Sequence, residues 1–271
     1  MVSFPHCKIN LGLNVVRKRT DGYHDIVTCF YPVPVTEVLE VVPSPAFAFT
    51  CSGDTIPGED EGNLCVKAFR LMERKYNIPP VKMHLHKVIP SGAGLGGGSS
   101  DAAFSLKMLA RISGLTLSTD ELAAEAATLG SDCAFFLHTE PMIGTGRGDR
   151  LTRVNFKLKG KFFCLVKPPV SIPTAAAYAG VVASGAEPDL ATLLETQPVE
   201  RWKEFLINDF EGPVFTKYPE VERIKQRLYD LGAVYSSMSG SGSAVYGIFA
   251  APVGLRDKFP GMYFADGTFE W

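Results

Sequence analysis

No excess of positive charge is available to hold a polyanion over a broad surface: 27 lysines and arginines stand against 29 aspartates and glutamates in 271 residues, a net charge of −2. This argues against a general nucleic-acid binder but leaves room for anionic ligands met locally. No run of about 18 uncharged apolar residues occurs, so no membrane span is expected. Met1 to Lys8 carries neither the cationic nor the apolar stretch of a secretion signal. The six cysteines, at 7, 29, 51, 65, 133 and 164, are scattered without a C-x-x-C pair. That spacing speaks against a disulfide scaffold and for reduced, mostly buried thiols in a cytoplasmic protein. With 46% hydrophobic and 21% charged residues, the chain has the composition of an ordinary folded protein, long enough for one large domain or two of about 130 residues.

The first ninety residues read mainly as strands. Lys8 to Val16 alternates, Thr36 to Val42 is strand-like, and Val81 to Val88 alternates with Val81, Met83, Leu85 and Lys87 on one face. Between them, Leu64 to Tyr76 has the 3.6-residue spacing of a helix. From Ser99 an apolar stripe (Ala102, Ala103, Leu106, Leu109, Ala110) predicts a helix stopped by Gly114. Ser118 and Glu121 have capping-box spacing before Leu122 to Leu129, and Gly130 ends that helix. A short helix is expected at Ser131 to Phe136. Thr145 to Lys159, poor in large apolar residues, is the expected crossing between two halves. Beyond it the pattern predicts strands at Phe162 to Val166, Ala233 to Ser236 and Ala244 to Ala250, with helices at Thr174 to Ala183, Leu190 to Thr196 and Pro219 to Leu231. Two α+β domains result.

Pro90 to Asp101 holds five glycines between Ser91 and Ser99, with a strand before and a helix after. Glycines permit positive φ and remove Cβ atoms, so successive N–H groups can converge on an anion at the helix start. A phosphate cradle is the reading; a flexible linker is the plainer one, and linkers rarely join a clean strand to a clean helix. Gly92, Gly94 and Gly97 satisfy the dinucleotide G-x-G-x-x-G spacing, but the alternating Val81 to Val88 strand does not suit a buried parallel sheet. A Walker loop needs Lys-Ser or Lys-Thr where Gly98-Ser99 stands, and the H-R-D and D-F-G strings of protein kinases are absent.

The loop resembles the P-x₃-G-L-G loop of the GHMP kinase superfamily. Lys8-Ile9-Asn10-Leu11 looks like that family's first motif and Met238 to Ala244 like its third, so all three fall in family order over nearly the whole chain. Within the superfamily, Asn14, Asp21-Gly22-Tyr23-His24, the triple glycine before Ser99, Gly130 to Phe136, Gly146-Arg147-Gly148-Asp149 and Ser171 to Thr174 resemble the kinases of 4-diphosphocytidyl-2-C-methyl-D-erythritol, which serve non-mevalonate isoprenoid synthesis. The resemblance implies an α+β, two-domain GHMP kinase fold. Its N-terminal domain (1–155) would be like ribosomal protein S5 domain 2 and its C-terminal domain (156–271) ferredoxin-like, with the site in a cleft between them.

It implies ATP and Mg²⁺ as cofactors and a small-molecule partner, without nucleic acid or membrane. Lys8 and Asp132 match the family's catalytic positions. Asp132 follows Gly130-Ser131 at a helix start, where the dipole and Lys8 would keep it ionised. Whether it removes the hydroxyl proton or orients the alcohol stays open, and an N-cap role is its plainer reading. Pro90, Ser91, Gly92, Ala93, Gly94, Leu95, Gly96, Gly97, Gly98, Ser99 and Ser100 would hold the ATP phosphates, Ser99 or Ser100 giving a route to Mg²⁺; the metal ligands are unassigned. Tyr23 and Tyr178 would sandwich the pyrimidine with His24 at its edge, and Tyr31 and Asn10 would line the methylerythritol or diphosphate region. Tyr178 can equally be a core tyrosine, and Lys87 either reaches a phosphate or snorkels from a strand end. His84 and His86 share a strand face but have no spaced partners for zinc. Two rival readings are another GHMP alcohol kinase, of mevalonate or homoserine type, and a non-catalytic binding protein of this fold.

Overall fold

The computed structural model describes residues 1–54 and 60–270. In chain order the elements are β1 (Val2–Ser3), β2 (His6–Lys18), β3 (His24–Thr36), β4 (Val38–Pro43), β5 (Ala48–Gly53), α1 (Leu64–Tyr76), β6 (Val81–Lys87), α2 (Gly97–Ile112), α3 (Thr119–Leu129), β7 (Met142–Thr145), β8 (Arg150–Arg153) and β9 (Phe162–Lys167). They continue as α4 (Thr174–Ala179), α5 (Leu190–Thr196), α6 (Glu211–Lys217), α7 (Pro219–Asp230), β10 (Tyr235–Met238), β11 (Val245–Phe249) and β12 (Tyr263–Thr268). By contacts the chain divides into two compact units. The first comprises Met1–Cys7, Val35–Ser91 and Gly96–Thr139; the second comprises Lys8–Pro34, Gly92–Leu95 and Glu140–Trp271. Among the described residues no helix is long and apolar enough to cross a membrane.

The first unit is built on the sheet β1-β4-β6-β5, in which β5 runs parallel to β6 and the other pairs are antiparallel. Along β6 the side chains alternate buried and outward-facing, with Val81, Met83, Leu85 and Lys87 inward. α1 packs beside α2, and Phe69, Met72, Leu106 and Leu109 are fully buried. Asn63 caps α1 by accepting the Cys65 N–H. At α3 both capping-box bonds form, Glu121 N–H to Ser118 Oγ at 3.2 Å and Ser118 N–H to Glu121 Oε2 at 2.8 Å.

The second unit holds two sheets, β10-β11-β9-β12 and β2-β3-β7-β8. Its core gathers Leu13, Val15, Cys164, Val166, Ile224, Leu228, Met238, Val245 and Phe249. The Thr145 to Lys159 segment contains the second half of a β7–β8 hairpin, in which Thr145 pairs with Arg150 and Gly144 with Leu151.

Candidate functional site

The candidate residues fall in both units. In the first, Lys87 ends β6 and its side chain is 2% exposed. Its ammonium bonds Glu37 and, at 2.9 Å, Asp101. Lys87 therefore neither snorkels nor faces a ligand: it neutralises two buried carboxylates. Burial alone would pull the ammonium down, but Asp101 and Glu37 outweigh it and hold it above the usual lysine range. Burial pushes the Asp101 carboxyl up to about 7 against the pull of Lys87. The other Glu37 oxygen accepts the Val88 and Ile89 N–H groups, so this buried triad anchors the backbone that leads into the glycine segment.

Gly92, Gly94 and Gly96 have φ of +63°, +78° and +71°, the left-handed region that glycine enters without strain. Gly96 stands at the N-cap of α2 and, being glycine, offers no side-chain cap to the helix's first N–H groups. A helix start of this kind favours an anion. Ser100, in its first turn, is fully buried and its Oγ has no hydrogen-bond partner among the described atoms. Asp132 precedes a short 3₁₀ turn (Cys133–Leu137) without capping it by side chain, and accepts from Ser131 Oγ at 3.3 Å. Asp132 thus stands at the N-cap position of that turn while its side chain makes no capping bond.

In the second unit the three motifs meet. Lys8, 3% exposed, donates to Asn10 Oδ1 at 2.6 Å and to the Gly94 carbonyl at 2.9 Å. Ser239 Oγ donates to the same Gly94 oxygen at 2.8 Å and accepts the Asn10 N–H at 3.3 Å. Asn10 Nδ2 donates to Thr28 Oγ1 at 2.9 Å, and Thr28 in turn to the Gly12 carbonyl. Backbone bonds add to this, Lys8 N–H to Leu95 O and Ala244 N–H to Ala93 O, both 3.0 Å. The spacing is tight enough that a Cβ on Gly94 would lie 1.9 Å from the Ser239 carbonyl oxygen. The result is a buried cation fixed in direction beside the glycine loop, an arrangement suited to phosphate.

Two residues that sequence reasoning did not single out hold the third motif in place. Asn208, buried, donates through Nδ2 to the Met238 and Gly240 carbonyls at 2.8 and 2.9 Å and accepts the Phe210 N–H. Glu211 accepts from Ser237 Oγ and Met238 N–H, both 2.9 Å, and is paired with Lys225. Their partners in the third motif lie 26 to 32 positions along the chain, and no local pattern signals such bonds.

The aromatic candidates separate. Tyr23 is 57% exposed, beside Arg147, whose guanidinium carbon is 5.1 Å from the ring centroid. His24 stacks on Tyr178 with centroids 4.6 Å apart and planes 20° from parallel, and Tyr178 meets Phe210 edge-on. Tyr31, in contrast, is fully buried: its hydroxyl accepts the Leu158 N–H at 2.7 Å and its ring packs against Phe156 and Phe269. The expected lining role for Tyr31 is replaced by a core role, since β3 is buried on both faces along this stretch. Asn10, 2% exposed, serves Lys8 rather than presenting an open surface. His84 and His86 lie on the outward side of β6, bonded to Thr50 and Ser52, and no three metal-ligating side chains converge among the described residues.

Residues 63–140 match the family described as GHMP kinases N terminal domain, and residues 190–260 match GHMP kinases C terminal. The 4-diphosphocytidyl-2-C-methyl-D-erythritol kinase of Parabacteroides distasonis is 48% identical over 95% of both chains, and that of Cytophaga hutchinsonii 47% identical over 92% of both. The crystal structure of a 4-(cytidine 5'-diphospho)-2C-methyl-D-erythritol kinase superposes with a TM-score of 0.83 at 31% identity, covering 100% of each chain. A mevalonate kinase of Methanococcus jannaschii, 13% identical with a TM-score of 0.74 over 99% of this chain and 98% of its own, shares the fold.

Proposed function

The chain belongs to the GHMP kinase family, with that family's two-domain fold of mixed helix and strand, and on this premise we propose that it transfers the γ-phosphoryl group of ATP to the 2-hydroxyl of 4-diphosphocytidyl-2-C-methyl-D-erythritol. Relatives named for that activity cover more than nine-tenths of the chain at 44–48% identity, and the step belongs to non-mevalonate isoprenoid synthesis. The structural observation that carries the reading is the shared Gly94 carbonyl, where the Lys8 ammonium and Ser239 meet the glycine segment.

Phosphoryl transfer rests on positioning and on charge stabilisation more than on covalent chemistry. Backbone N–H groups of residues 91–99 and the α2 start hold the ATP phosphates. Lys8, kept by Asn10 Oδ1 and the Gly94 carbonyl in one orientation, places a desolvated positive charge for the charge that develops on the transferring group. Asp132 accepts the hydroxyl proton or aligns the hydroxyl for attack. Mg²⁺ bound with ATP would neutralise charge on the phosphates, and the Ser99 and Ser100 hydroxyls, the latter without a hydrogen-bond partner among the described atoms, would hold such an ion. At the other end of the substrate, Tyr23 and Tyr178 offer flat surfaces to the cytosine and His24 a hydrogen-bond partner to its edge. None of the six cysteines forms a disulfide, which suits a reducing cytoplasm.

Phosphorus NMR of the product tests the reading: a new phosphomonoester on the carbon bearing the 2-hydroxyl is expected, and a phosphate at any other position would contradict it.

A further inference from the structure

The Gly146-Arg147-Gly148-Asp149 turn has no part in the chemistry above, yet it is built with care. Gly146 and Gly148 both take positive φ, +64° and +91°, and a Cβ on Gly146 would come to 3.0 Å from Asp149 Oδ1. Asp149 holds Arg147 three ways: Oδ1 accepts the Arg147 backbone N–H at 3.0 Å, and Oδ2 accepts Nε and Nη2 at 3.1 and 3.0 Å. The turn is tied to β3 by the Ile26 N–H bond to the Gly146 carbonyl at 2.7 Å. The guanidinium so fixed sits at the Tyr23 ring. From the chain side, Tyr23 is held by its N–H to Asp21 and by its carbonyl, which accepts the Arg19 N–H. Arg19 also pairs with Asp21 and Asp25.

We propose that Arg147, locked by Asp149, is a positioning residue that braces the Tyr23 ring and so sets affinity for the cytosine end of the substrate. This deepens the proposed function and rests on it. An exposed tyrosine loses side-chain freedom when a base stacks on it. A guanidinium that cannot swing away restricts the ring beforehand and attracts its π face. The brace acts on binding of the pyrimidine and on no step of phosphoryl transfer.

The test compares wild type, Arg147→Ala and Asp149→Asn, measuring KM for the cytidyl substrate, KM for ATP, kcat and competitive inhibition by CMP. Arg147→Ala is expected to raise the substrate KM and the CMP inhibition constant by the same factor, about tenfold, with kcat and the ATP KM within about twofold of wild type. Asp149→Asn is expected to give a smaller rise in the same two constants. In a Tyr23→Leu background, Arg147→Ala is expected to add almost nothing, because the ring it braces is gone. Unchanged substrate KM and CMP inhibition in Arg147→Ala would overturn the proposal, as would a loss confined to kcat or shared with ATP. A wild-type protein inactive on the cytidyl substrate would instead overturn the functional reading beneath it.

Discussion

Ser239 Oγ and Lys8 Nζ both donate to the carbonyl oxygen of Gly94, at 2.8 and 2.9 Å. A carbonyl oxygen has two lone pairs, and here both are engaged. The peptide at Gly94 is thereby held in one orientation by residues 145 positions after it and 86 before it.

Gly94→Ala is accordingly expected to fail. The new Cβ would stand 1.9 Å from the Ser239 carbonyl oxygen at a φ of +78°, so the loop must move away from Lys8. A displacement of this kind costs on the order of 100-fold in kcat/KM. Gly254→Ala, whose Cβ would meet nothing within 4 Å and which lies outside the glycine loop, is the control expected to retain most activity in the same assay.

Asn208→Ala leaves the Met238 and Gly240 carbonyls and the Phe210 N–H without their partner in a buried place. Urea unfolding is expected to show a loss of about 1–3 kcal/mol. Turnover at a temperature where the variant is folded should fall as well, since Ser239 lies between the two released carbonyls.

Lys87→Met strands Glu37 and Asp101 as buried carboxylates. Denaturant unfolding is expected to register a loss of about 3–5 kcal/mol. Adding Glu37→Gln and Asp101→Asn to that variant should recover much of it, because the destabilisation comes from uncompensated charge and not from lost volume.

Asp132→Asn keeps the size of the side chain and removes its charge. Turnover is expected to drop by orders of magnitude while ATP binding, measured by calorimetry, is retained; near-normal turnover would remove Asp132 from the chemistry.

What could be read from the sequence was local. The 64–76 and 190–196 helices, the Ser118–Glu121 capping box and the β6 alternation repeat at short intervals, and the structure has them at those positions. β3 escaped because its residues are buried without alternation from Asp25 to Val33, which removes the two-residue period, and because Pro32 and Pro34 speak against a strand. The Thr145–Lys159 segment, poor in large apolar residues, concealed the hairpin strand Arg150–Arg153 for the opposite reason, because that strand buries none of its side chains and so shows no apolar alternation. In the site, the three glycine and lysine motifs were visible as strings, but their meeting at Gly94 was not. Lys87 looked like a strand-end lysine because its partner Glu37 is 50 positions away, and the roles of Asn208 and Glu211 exist only through tertiary hydrogen bonds.

The central claim is the substrate, and ADP release followed with ATP, Mg²⁺ and one added alcohol at a time tests it most directly. ADP release that depends on 4-diphosphocytidyl-2-C-methyl-D-erythritol and stays at background with mevalonate or homoserine is the predicted result. Background release with the cytidyl substrate, or faster release with either smaller alcohol, would contradict it.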